Sequence, residues 1–436
     1  MNGWRQVREL GEVWNVRERA GTLVRRLGTR PDRFQAALDA LLAVLQRHGV
    51  AATFPTTALP LARHPQPFQA LNAQGMEVAA HSFQHLDLSA LPPAVQRDQV
   101  VRARQVFERA GIRAAGFRAP YLRWNDELLR ILARTGFQYD SSSSLWWPVL
   151  PSDERLRPVI DYYRPDDAAT VPALPSLRPE GLVALPTSLP DDEMLVDRLG
   201  LAAHDVAAVW RTVLGMSYAR DELFVLLLHP ERGLVCAEAL DQVLADARQR
   251  QPAVWIATLA EVADWWKIRP QCQITIAAAD PGVWQVQVSA PAAARLLAQA
   301  AEVRPWNEAP SLDLPVTRAW LGDTQEVLVQ RFTLRSATRP VIGLAPDSAR
   351  PLLGFLRQQG YIVEVSAERS LYSVYIDQAG FDAAREGRRL MREVEGATAP
   401  LLRFSRWPAA ARSALVVSGD VDAVTIWDYL WRLREG

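Results

Sequence analysis

Between about residue 34 and residue 267 the chain switches repeatedly between two hydrophobic rhythms, and that alternation limits the folds open to it. RFQAALDALLAVLQRHG (33–49) spaces its apolar residues along one helical face and stops at Gly49, whereas VAATFPT (50–56) is a compact apolar strand. The exchange recurs, with helices expected at 67–75, 94–111, 125–136, 201–215 and 236–249. Strands are expected at 76–82, 114–120, 137–142, 181–188 and 222–230, and VWIATLAEVADWWK (254–267) adds a strand and a helix. A chain that returns through a helix after each strand pairs its strands in parallel. The expected fold is therefore α/β, with a sheet left open or closed into a barrel.

Near Ile268 the rhythm changes. QITIAA (273–278), VWQVQVS (283–289) and EVLVQRFTLRS (326–336) alternate apolar with polar residues between Pro- and Gly-containing turns, which predicts antiparallel strands. Residues 339–366 read as strand–helix–strand. A separate α+β insert is expected at 269–406; Trp306, Trp320 and Tyr361 within it read as core residues rather than a sugar platform. The apolar strand in SALVVSGDVDAVT (413–425) follows and ends in Asp420 and Asp422.

Composition excludes several partners. The 49 basic residues balance the 49 acidic ones, which gives no basis for binding nucleic acid or an anionic membrane. No uninterrupted apolar run of about eighteen residues suggests a membrane span, and the opening MNGWRQVREL lacks the apolar core of a signal peptide. Cys236 and Cys272 are the only cysteines, too few for a disulfide framework. The expected location is the cytoplasm.

The chemistry-bearing residues fall just past apolar strands. HSFQH follows MEVAA, so His81 and His85 stand at a strand's C-terminal end; a helical turn there would put both imidazoles on one face, able to hold one ion. The bland alternative is a pair of surface or N-cap histidines. Arg118, Pro120 and Tyr121 follow AAGF, Asp140 follows FQY, His229 follows LFVLLL, and Asp420 and Asp422 follow ALVV. Singly, His229 could be a satisfied core histidine and Arg118 a structural ion pair. Together they match the way parallel α/β barrels gather a site at the C-terminal ends of their strands. Two neutral imidazoles and a carboxylate form a three-ligand set for a catalytic divalent ion, with Asp420 or Asp422 as the carboxylate.

HSFQH, GFRAPY, YDSSSS, LPTSLPDDEML, LLLHP and SGDVD, closed by ATLAEVADWWK, resemble the motif series of the polysaccharide deacetylase family. These are the NodB-homology enzymes of carbohydrate esterase family 4. Most members carry the acidic motif first; here it comes last. The resemblance therefore implies a distorted (β/α) barrel, circularly permuted, formed by 1–267 with 407–436 around the insert. It implies a hydrolase that removes an N-acyl, usually N-acetyl, group from an amino-sugar substrate with metal-activated water. Asp420 would be the general base, Asp422, His81 and His85 the ligands of one divalent ion (Zn2+ expected, Co2+, Ni2+ or Mn2+ as alternatives), and Arg118 the partner of Asp420. Tyr121 would offer its backbone N–H to the oxyanion, and His229 would be the general acid with Asp140 as its supporting acid. The family's Asp-Trp pair has no clear counterpart in SSSSLWWP, which leaves Asp191 or Asp192 as the other source of that support. Trp146 and Trp147 are candidates for a sugar platform, and Asp191 and Asp192 for substrate contact. Hydrolysis of a non-sugar amide, or an inactive carbohydrate-binding protein, are the alternatives.

Overall fold

The computed structural model describes residues 26–306 and 315–431. A twelve-stranded sheet runs through the first part of the chain and takes in one strand from much later. Its members are β1 (Thr53–Thr56), β2 (Glu77–Ala80), β3 (Gly116–Phe117), β4 (Tyr139–Asp140), β5 (Ser144–Trp146) and β6 (Asp166–Asp167). After them come β7 (Ser176–Leu177), β8 (Val183–Ala184), β9 (Thr187–Leu189), β10 (Leu223–Leu228), β11 (Val254–Ile256) and the late strand Ser413–Gly419. The order is β6-β5-β9-β10-late strand-β1-β2-β3-β4-β8-β7, and β11 pairs with the late strand off this path. Every pairing is parallel except β7 with β8. The sheet curls into a half-barrel with β6 and β7 as its edges. Expected helices appear as Asp32–His48, Pro65–Ala73, Pro93–Arg109, Asp126–Arg134, Ala203–Ala219 and Gly233–Gln249.

The late strand is the centre of this sheet. It pairs with β10 from Ala414 opposite Leu223 to Gly419 opposite Leu228. On its other edge β11 holds Ser413 to Leu415, and β1 takes over at Ser418. All its residues are buried. The two-residue period of a strand sends Leu415 and Val417 into a core with Phe54, Val78 and Phe117, and Ala414 and Val416 into another with Trp266, Ile342 and Trp407. Each large apolar side chain buried this way contributes about 1.5–3 kcal/mol relative to exposure.

The region after Ile268 holds two four-stranded antiparallel sheets and a three-stranded parallel one. The expected strand–helix–strand appears as Arg339–Leu344, Arg350–Gln358 and Val363–Val365, with Tyr372–Ile376 added on the other side. The single strand expected at 326–336 is instead two, Thr324–Val327 and Arg331–Arg335, in different sheets. Val327 and Phe332 enter one shared core, so the chain keeps its apolar alternation while crossing between sheets. Ile342, Leu344 and Leu352 join Val225 and Val416 in the core on one face of the half-barrel, and Arg388 pairs with buried Glu222, just before β10, at 2.7 Å. Trp320 donates to the Ala410 carbonyl, and buried Tyr361 donates to Glu395. Among the described residues no helix is long and apolar enough to cross a membrane.

Candidate active site

Because the strands are parallel, the residues that follow them emerge along one edge of the sheet. His81 follows β2 and donates its N–H to the Thr56 carbonyl, Arg118 follows β3 and donates to Ala80, and Asp420 follows the late strand and donates to Leu228. Gly419 allows the close approach this requires, since a Cβ there would lie 3.1 Å from the Phe54 ring and 3.2 Å from Pro230.

His81 and His85 meet Asp422. Their Nε2 atoms lie 3.5 and 3.3 Å from the same Asp422 Oδ1, and the donor atoms of all three fall within 4.8 Å of one another. The histidines are not on a helical turn, as the sequence suggested. Ser82 takes a left-handed φ of 67°, and the loop is pinned by Gln99, whose Oε1 accepts from the Gln84 N–H at 2.9 Å. His81 Nδ1 lies 2.8 Å from the Arg118 carbonyl, which can only accept; Nδ1 therefore carries the proton and Nε2 presents a lone pair. The Tyr121 ring packs edge-on against His85 at 4.3 Å, a contact the sequence reading of Tyr121 as a backbone donor did not foresee. Two imidazole nitrogens and a carboxylate oxygen converging from fixed rings fit a small divalent ion.

Beside this cluster, fully buried Arg118 donates to Asp420 Oδ1 at 2.6 Å and to Ser418 Oγ at 3.0 Å, and its other nitrogens reach Ser141. The second Asp420 oxygen lies 4.0 Å from His81 Nε2.

The support for His229 corrects one expectation. Asp140 bonds Ser142, whose hydroxyl accepts from the Ala119 N–H at 2.8 Å. It thus braces the turn leading to Tyr121, where φ is 59°, rather than the histidine. Burial raises the Asp140 carboxyl to about 6 despite the Ser142 bonds. The partner of His229 is Asp192, 2.7 Å from its Nδ1 and accepting its backbone N–H at 2.7 Å. Burial works against a charged imidazole, but the Asp192 carboxylate overrides it and pushes His229 up to about 10. Asp191 accepts from the Met194 N–H at 2.9 Å and heads the helical turn Glu193–Arg198. Burial, with Asp192 and Glu193 alongside, pushes its carboxyl up to about 7. Asp191, Asp192 and His229 also fall within 4.8 Å of one another, but His229 Nδ1 is committed to Asp192, so this group reads as a proton-holding pair rather than a cage for an ion.

Adjacent tryptophans point opposite ways. Trp147 is fully buried in the core and donates to Ser188 Oγ at 3.1 Å, so it is no sugar platform. Half-buried Trp146 lines a cavity of about 450 Å³ with Pro148, Leu150 and Ile160, rimmed by Asp153 and Arg157.

A family model described as polysaccharide deacetylase matches residues 30–139. The chain is 32% identical over 176 residues to the chitooligosaccharide deacetylase of Sinorhizobium fredii, a match covering 40% of this chain and 76% of that one. It is 32% identical over 155 residues to a chitooligosaccharide deacetylase of Bradyrhizobium sp., covering 35% and 65%. Among solved structures, a Mycobacterium smegmatis protein assigned to the polysaccharide deacetylases aligns at 24% identity over 55% of this chain and 79% of its own, with a TM-score of 0.45. With a relative of that identity covered over three-quarters of its length, and the family model matching the first histidine motif, the chain belongs to the polysaccharide deacetylases with NodB homology.

Proposed function

We propose that this protein is a metal-dependent hydrolase that removes an N-acyl group, N-acetyl first of all, from an amino-sugar substrate. The observation that carries the reading is the meeting of His81, His85 and Asp422 beside the Arg118–Asp420 pair, whose members stand 302 residues apart in sequence. The names of the two rhizobial relatives favour a chito-oligosaccharide as substrate.

His81, His85 and Asp422 would hold the ion, zinc being the first choice for this donor set. When bound, such an ion acidifies a water and polarises an amide carbonyl. Asp420 is fixed through one oxygen by Arg118, and its other oxygen takes the proton of the attacking water. The Tyr121 backbone N–H is offered to the oxyanion from a turn braced through Ser142 by Asp140. His229, charged at neutral pH through Asp192, gives its Nε2 proton to the departing nitrogen. Trp146 supplies a face for a neighbouring sugar ring.

We read the barrel as circularly permuted, 1–267 with 407–436, around the insert 269–406; residues 1–25, 307–314 and 432–436 of these ranges lie outside the described residues. The reading is supported by the late strand's seat between β10 and β1, and by a family match that ends at residue 139 with both acids outside it. The test is acetate release from N-acetylated chito-oligosaccharides by the zinc-loaded protein. Release by the wild type and none by Asp420→Asn is expected; equal release by both discards the mechanism.

A further inference from the structure

Behind His229 lies an ion network that no step above uses. Asp192 also accepts from Arg232 at 3.4 Å, and Arg232 turns another nitrogen to Asp197 at 2.6 Å. Asp197 shares that oxygen with Arg26 at 2.9 Å, and Arg26 reaches Glu231 at 3.4 Å. The side chains of Asp192, Glu231 and Arg232 are only 0%, 1% and 4% exposed. The cations His229, Arg232 and Arg26 face the anions Asp192, Asp197 and Glu231, and Asp191, its carboxyl pushed up to about 7 by burial, lies within 4.8 Å of Asp192 and His229. Without Arg26, a surplus negative charge stays where water solvates it poorly, and such an uncompensated charge is costly. Arg232 is then drawn towards Asp197 and Glu231 and away from Asp192.

Arg26 is held in place by its neighbours. Leu27 is 1% exposed and packs with Ala423 and Ile426, just past Asp422. The Gly28 carbonyl accepts the Ile426 N–H at 2.9 Å, from a left-handed φ of 67° that glycine adopts without strain. Residues 26–28 therefore strap the segment carrying Asp422 to the network behind His229. They lie ahead of the residues the family model matches.

We propose that Arg26 is a positioning residue for the general-acid histidine, closing the buried ion network so that Arg232 stays on Asp192. The proposal rests on the reading of His229 as the acid. It is tested with Arg26→Gln and Arg26→Lys in the full-length zinc-loaded protein, by NMR titration of the histidine rings, with His229→Asn to assign the signal. Acetate-release kinetics, zinc affinity and Tm are measured alongside. Arg26→Gln should raise the His229 pKa by about half a unit to one unit, as loss of a nearby cation does. It should lower kcat about tenfold, as expected for a weaker acid, with KM and zinc affinity unchanged. Arg26→Lys should recover most of both changes. An unchanged His229 titration with only a lower Tm would overturn the proposal and leave the network a clamp on the fold; so would loss of zinc affinity. The ring titration needs no substrate, so a wild type that releases no acetate would count against the proposed function while the titration still judges Arg26.

Discussion

The two halves of the site are built on opposite electrostatic plans. At His81, His85 and Asp422, donor atoms from separate loops aim at one another across 3.3 and 3.5 Å, arranged around a position more than around a side chain. Around His229, by contrast, charges alternate in sign from Asp192 through Arg232 and Asp197 to Arg26, each within 3.4 Å of an opposite partner. Convergent lone pairs make a place to receive a cation, whereas matched charges make a place to keep a proton. A hydrolase that must acidify a water on one side of a bond and protonate nitrogen on the other needs one of each.

The strongest way to break this comparison is His81→Ala. It should remove the ion and lower acetate release on the order of a thousandfold, the effect of losing several kcal/mol of charge stabilisation. Tm should move little, and metal content is the check; retained metal with retained turnover would end the distinction between the halves. Asp192→Asn should spare metal content and lower kcat about a hundredfold, the range of general-acid contributions. His229 should fall from about 10 towards an ordinary histidine value, moving the alkaline limb of the pH profile down. Stability carries the same sign. His229 binds its proton more tightly when folded, so its contribution is fully present below 6.5 and fades as pH rises through about 10. Unfolding measured from pH 6 to 10 should show a flatter slope in Asp192→Asn. Lastly, Trp147→Ala should cost about 3–5 kcal/mol of stability as a core cavity, with KM unchanged. Trp146→Ala should leave stability alone and raise KM a few-fold, about 1 kcal/mol of lost stacking.

What could be read before the structure was what a strand's end advertises. His81, Arg118, His229 and Asp420 each follow a compact apolar run, and parallel pairing carries such positions to one edge without further information. The late strand's fit beside β1 was legible for the same reason, since its apolar run needs cover on both faces. Asp192 was ambiguous because Asp191 is its neighbour, and only the helical turn Glu193–Arg198 decides which carboxylate faces His229. Trp146 and Trp147 posed the same problem: a strand sends one in and one out, and composition does not say which. β5 and β6 are short and Ser- or Asp-bearing, without the apolar run that announces a strand. The Arg26 network joins side chains 35 and 171 residues apart, a separation no local pattern spans.

Seating the late strand between β10 and β1 has a consequence for how the chain is made. A ribosome releases both flanking strands long before the wedge that separates them, so the nascent barrel must keep a gap open, or close it wrongly and reopen it. Its apolar slot is then exposed during synthesis, when β1 and β10 could zip together prematurely. On the proposed mechanism, activity would arrive only with the wedge, because Asp420 and Asp422 travel just behind it.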